Sequence, residues 1–264
     1  MTDPRMAKWA ELLVSYSASV KPGQTVAIGG QSSAEPLLRA IYRAVLEHGA
    51  FPVLTVTLPG VNADFLSLAS DEQIAFMSPV DQFARMEADC LINVLAETNT
   101  RALSGISPER QRAWQKARRP LLDATMSRSA AGVFDWALTM FPTDAYAMDA
   151  EMSTDEFSEF VMRACKLDQP DPRAAWRTQA AEQDRLIKWL EGKSEIHLRG
   201  EDTDLRLSVA GRTWINADGT KNMPDGEIFT GPVEDSVEGT VRFSFPVVTQ
   251  GREVHDIRLR FEAG

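Results

Sequence analysis

The feature that most constrains this chain is a change of hydrophobic period near residue 193. Upstream, short apolar runs alternate with stretches whose apolar residues recur every three to four positions. Downstream, apolar and polar residues simply alternate. The first pattern belongs to strands separated by helices, which build a parallel, doubly wound sheet. The second belongs to half-buried antiparallel strands. The fold class is therefore read as α/β: a mostly parallel N-terminal domain over residues 1–192, then over 193–264 the first part of an antiparallel β-rich domain.

The punctuation supports this division. Asp3 and Pro4 start a helix that runs to about Ser19, where Lys21-Pro22-Gly23 stops it. TVAIGG, FPVLTVTL, DCLINVLAE and Trp136–Phe141 read as four strands. Between the first two, Leu37, Leu38, Ile41 and Val45 share one side of a helix that Gly49 closes. Further helical segments fall between about Asp71 and Glu87. STDEF carries a capping box, Ser153 with Glu156. Asp171-Pro172 opens a longer helix whose inner face holds Trp176, Ala180, Gln183, Ile187 and Leu190, and Gly192 ends it. Beyond it, IHLRG, DLRLSV, RTWIN, VRFSFPVV and VHDIRLRF read as strands. Leu205, Leu207 and Val209 oppose Arg206 and Ser208, and Val241, Phe243 and Phe245 follow the same rule. Asp218-Gly219, Asp225-Gly226 and Glu238-Gly239 read as turns.

Charge excludes some functions. A formal charge of −10 repels phosphate backbones, so nucleic acid is not an expected partner. No apolar run approaches the ~20 residues of a membrane helix. MTDPRMAKWAELL carries charges where the apolar core of a secretion signal would lie. Cys90 and Cys165 are far apart and sit in apolar or helical patterns, as buried small hydrophobes do. Both observations lead to an expected cytoplasmic location.

Several stretches are candidates for chemistry. IGGQSSAEP follows a strand and opens a helix but lacks the spacing of a phosphate loop, so Ser32 or Ser33 reads as a helix N-cap. AETNTR follows the third strand, where ligands of open α/β sheets bind. Its Glu97, Asn99 and Arg101 line a crevice, cap a helix or meet a partner domain. His48 sits at a helix end, His197 on the polar side of a strand and His255 on another strand; none has metal-ligand spacing. The most informative stretch is NMPDGEIFTGPVEDS, which is too polar and too broken by Pro and Gly for a core strand. It carries Glu227, Glu234 and Asp235 on stiff, turn-rich backbone. A calcium loop needs oxygens at alternating positions, which this lacks. A solvated loop and a metal-ligating turn, with Glu227 projecting from the strand after Asp225-Gly226, both remain open.

NADGTKNMPDGEIFTGPVEDSVEGTVRFSFP and GREVHDIRLRFE closely resemble the thermophilic metalloaminopeptidase family, of the aminopeptidase T, aminopeptidase S and PepS type. AETNTRALSGISPERQRAWQKARRPLLDATMSR, FPTDAYAMDAEMSTDEFSEFVMRACKLDQPDP and KPGQTVAIGGQSSAEPLLRAIYRAVLEHGAFPV match as well, so the resemblance covers nearly the whole chain. It implies an exopeptidase that removes N-terminal amino acids from peptides with two divalent metal ions (Zn, Co, Mn or Mg), built as a homodimer. The glutamate of the N-M-P-x-G-E motif is a metal ligand in the family, and that position is Glu227. The family's remaining ligands are expected downstream of Gly264, so the chain resembles a C-terminally truncated enzyme, inactive by itself. The alternative is a binding or assembly module without catalysis.

Overall fold

The computed structural model describes residues 3–249 and 252–264. In chain order the helices and strands begin with α1 (Arg5–Leu12), which a π-helical turn over Leu13–Ser17 prolongs. Then come β1 (Thr25–Gln31), α2 (Glu35–Glu47), β2 (Phe51–Thr57), α3 (Val61–Leu68), α4 (Asp71–Ala75) and α5 (Pro79–Gln82), followed by a second π turn over Phe83–Glu87. β3 (Cys90–Leu95), α6 (Pro108–Ala130), β4 (Asp135–Met140), α7 (Asp144–Asp149), α8 (Thr154–Ala164) and α9 (Pro172–Leu190) follow. The last third holds β5 (Glu195–Gly200), β6 (Thr203–Ser208), β7 (Ile215–Ala217), β8 (Asn222–Met223), β9 (Glu227–Phe229), β10 (Glu238–Phe243), β11 (Val247–Thr249), β12 (Arg252–Val254) and β13 (Ile257–Phe261). Two compact units result: Met1–Trp176 with Gly219–Asp225, and Arg177–Asp218 with Gly226–Gly264.

The first unit is built on a parallel sheet of order β2-β1-β3-β4-β8. On one side Val26, Ile28, Cys90, Ile92 and Val94 form the main core with α1, α2 and α8; Leu37, Leu38, Ile41 and Val45 of α2 are all buried, as their spacing predicts. The other side has a much smaller cluster, Ala27, Ala88, Leu91 and Phe134. The fold class read from periodicity is the fold class observed.

The second unit's main sheet is antiparallel, β13-β10-β6-β5. Its two sides are chemically distinct. Leu198, Leu205, Gly239 and Phe261 stand in one transverse row, and Arg199, Asp204, Thr240 and Arg260 in the next. This is the period-two alternation visible in the sequence.

Four local expectations are corrected. Asn222–Met223 is a strand after all: it adds to the edge of β4 through Leu138 and Thr139, and Met223 is buried. Thr139 supplies the side-chain hydrogen bond that two residues of ladder cannot, from Oγ1 to the Met223 carbonyl at 2.6 Å. Glu238-Gly239 is no turn but the head of β10: Glu238 pairs with Arg206, and Gly239 with Leu205 on one side and Phe261 on the other. Ser33 does not cap α2; it lies in a 3-10 turn and its hydroxyl donates to the Ala96 carbonyl at 2.6 Å. His255 lies between β12 and β13, beside Asp256 in a left-handed turn (φ 48°), not on a strand.

Candidate metal centre

Glu227 is the first residue of β9, and its carboxylate follows directly on a constrained turn. Gly226 has φ 120°, and a Cβ there would lie 2.2 Å from Nε2 of Gln179. Only glycine meets both conditions. The Gly226 amide donates to the Ala217 carbonyl at 3.0 Å, which starts the β7–β9 ladder Ala217↔Glu227, Asn216↔Ile228, Ile215↔Phe229.

Two amide side chains fix this small ladder to α9. Gln183 is 5% exposed. Its Nε2 donates to the Glu227 carbonyl at 2.8 Å, to Asn216 Oδ1 at 2.9 Å and to the Ala217 carbonyl at 3.3 Å. Asn216 Nδ2 in turn donates to the Ala180 carbonyl at 3.0 Å and to Asp184 Oδ1 at 2.7 Å. The backbone of Glu227 is thus held from within the unit, whereas its side chain is exposed and makes no hydrogen bond or ion pair among the described residues. A carboxylate with uncommitted lone pairs can accept a cation, while the hydrogen bonds that orient ligating carboxylates in metal sites are not supplied to Glu227 by the described residues.

The neighbouring acids behave otherwise. Glu234 is ion-paired with Arg212, and its carboxyl is held below the ordinary range by a backbone hydrogen bond and by that arginine. Among the described residues no group of three or more His, Cys, Asp or Glu could hold a metal ion. The residues present therefore do not fit a complete metal centre; Glu227 is a single donor. The histidines are engaged elsewhere: His48 with the Ala44 carbonyl (2.9 Å), His197 with Asp204 (2.7 Å), His255 with Glu253 (2.9 Å).

AETNTR is tied to α7 in the first unit. The Glu97 amide donates to the Tyr146 hydroxyl at 3.1 Å, Thr143 Oγ1 donates to the Glu97 carbonyl at 2.6 Å, and Arg101 pairs with Asp149 at 2.9 Å. Burial raises the Tyr146 phenol above its ordinary value. Sequence reasoning missed the Gln183–Asn216 clamp, although helical spacing had already put Gln183 on the inner face of α9.

Comparison with known proteins gives the remaining information. A family described as thermophilic metalloprotease (M29) matches residues 2–264. Aminopeptidase 2 of Geobacillus stearothermophilus is 26% identical over 285 aligned positions, covering 99% of this chain and 68% of its own. Aminopeptidase T of Thermus thermophilus is 27% identical, covering 98% and 69%. The solved structure of wild-type AmpT from Thermus thermophilus superposes with a TM-score of 0.80 at 24% identity, over 98% of this chain and 69% of that one. The structural likeness establishes a shared fold.

Proposed function

The chain belongs to the thermophilic metalloprotease (M29) family, and from that premise we propose that it acts in the metal-dependent removal of N-terminal residues from peptides, with Glu227 as one ligand of a divalent metal ion. Family membership makes it a peptidase, and relatives named as aminopeptidases support the exopeptidase reading. The observation that carries the role of Glu227 is the contrast within one residue: a clamped carbonyl and an uncommitted carboxylate.

A catalytic metal needs about three protein ligands. Glu227 supplies one, and the described residues supply no group around it. We infer that the other ligands, and a second ion, lie in polypeptide beyond these 264 residues. When bound, such ions would acidify water and polarise a carbonyl. The family resemblance further supports a homodimer. Two buried, free cysteines support a reducing compartment such as the cytoplasm, and no helix among the described residues is long and apolar enough to cross a membrane.

The test is leucyl-nitroanilide turnover with Co²⁺ or Zn²⁺, on the chain alone and on a chimera that adds the part of a curated relative lying beyond the match. The chain alone should be silent and the chimera active, with Glu227→Gln lowering turnover by about a hundredfold or more. A chimera equally active with and without Glu227→Gln would overturn the assignment. A folded, metal-loaded but inactive chimera would favour a binding or assembly module.

A further inference from the structure

The first unit contains a crevice of about 130 Å³ that the proposed activity does not use. It lies on the thinly packed side of the parallel sheet, and the sequence explains why it is open. On that side β1 presents Ala27 and Gly29, and the helical run above presents Ala84. Their side chains are too short to fill the gap. In sheet register Gly29 stands between Thr55 of β2 and Asn93 of β3. The order β2-β1-β3 makes β1 and β3 the strands where the winding reverses, and open α/β sheets bind ligands near the carboxyl ends of such strands.

The polar side chains among its lining are largely uncommitted. Thr55, Thr57 and Asn93 make no side-chain hydrogen bond among the described residues. The Asn93 amide lies over Gly29: a Cβ on Gly29 would be 2.7 Å from Asn93 Oδ1. Asp81 and Arg85 enter from the cover, four positions apart on continuous helical backbone. Arg85 gives one nitrogen to Thr125 Oγ1 at 3.3 Å. Arg118 is near enough for Asp81 to oppose the effect of burial on its guanidinium, yet no ion pair joins Asp81 to Arg85 or to Arg118 among the described residues. Two opposite charges thus line one crevice, and no ion pair closes between them among the described residues.

We propose that this crevice binds a small zwitterion, a free α-amino acid of about the size of alanine or serine. Its carboxylate would meet Arg85 and its ammonium Asp81, with Asn93 and the threonine hydroxyls completing the hydrogen bonds. The volume equals roughly four waters, which suits about six non-hydrogen atoms. Free amino acids are also what an aminopeptidase releases, but the inference rests on the crevice alone and stands if that activity fails.

Calorimetric titration of the metal-free protein in EDTA with L-alanine is the test, since no metal site can then contribute. Binding with Kd on the order of 1 mM is expected. Acetate and ethylammonium should each bind roughly tenfold more weakly or worse, and Asp81→Asn and Arg85→Gln should weaken L-alanine by a similar factor. Gly29→Ala changes no charge but narrows the crevice floor and crowds the Asn93 amide, so it should weaken binding about tenfold or more while circular dichroism stays native. The proposal fails if the folded protein gives no heat with tens of millimolar L-alanine. It also fails if acetate binds as well, or if Asp81→Asn and Gly29→Ala both bind normally. Should Arg85→Gln not fold, those last two variants decide.

Discussion

The amide of Gln183 and the carbonyl of Glu227 are joined by a 2.8 Å hydrogen bond within the second unit. That bond, with its companions to Asn216 and Ala217, holds the head of β9 without engaging the carboxylate. Gln183→Leu keeps the bulk and removes the donor from three acceptors. It should lower stability by about 1–3 kcal/mol in urea unfolding and speed amide exchange over residues 215–229. A loss below ~0.5 kcal/mol would show that the clamp is dispensable.

Glu227→Gln should leave stability unchanged within about 0.5 kcal/mol, because the side chain is exposed and unpaired among the described residues. A stability loss of several kcal/mol would mean that this carboxylate serves the fold instead of a ligand.

Gly239→Ala should be among the most damaging single changes. Gly239 has φ 115° in mid-sheet, and an added Cβ would lie 2.0 Å from the Asp204 carbonyl oxygen. Strand β10 would have to leave β6, at a cost of at least ~2 kcal/mol. A native-like melting temperature for the variant would refute this.

Arg5 joins α1 to α8 through Glu159 at 2.7 Å and also holds Asp3 at 2.8 Å. Its hydrogen bonds keep both carboxyls below their ordinary values. Because the folded values are depressed, the stabilisation is complete above the ordinary carboxylate range and is lost as pH falls through the lowered ones. Arg5→Met should bring both carboxyls back up toward their ordinary range by carboxyl-detected NMR titration. It should also flatten the acid limb of the stability curve. Unchanged titrations would rule out this account.

Cys90 and Cys165 should resist thiol reagents at pH 8 until the protein is unfolded. Burial, with a smaller contribution from Asp135, pushes the Cys90 thiol up to about 12, and burial also raises Cys165. Stoichiometric labelling of the native protein would contradict the packing described.

Legibility in the sequence followed the strength of the packing pattern. The apolar spacing of α2 left a period that burial then matched, the Ser153–Glu156 capping box formed as read, and β6 buries Leu205 between exposed Asp204 and Arg206. In β5 and β10 the alternation shows in the pairing register but not in burial, since Leu198 and Phe243 are exposed. The 23-residue α6 left none. Only Gln111, Leu121 and Thr125 of it are buried, so its single packed side is too sparse to give a helical period, and Pro120, which reads in sequence as a helix stop, lies inside the continuous helix. β8 escaped because two residues cannot alternate, and its one buried side chain is Met223. At the candidate metal centre, the special backbone before Glu227 was visible from Asp225-Gly226, while its proposed ligand role came from the family motif. The clamp was not visible, because a buried polar residue such as Gln183 looks in sequence like a surface residue out of place.

The short strand β8 also limits how this chain can be dissected. Gly219–Asp225 belongs to the first unit although residues on both sides of it belong to the second. A gene cut after Trp176 would give a fragment whose fifth strand is missing and whose β4 ends as a bare edge, open to pairing with another copy. A soluble first unit calls for a rewired gene in which a short artificial linker brings residues 219–225 in behind Trp176. A plain truncation series should instead yield aggregates.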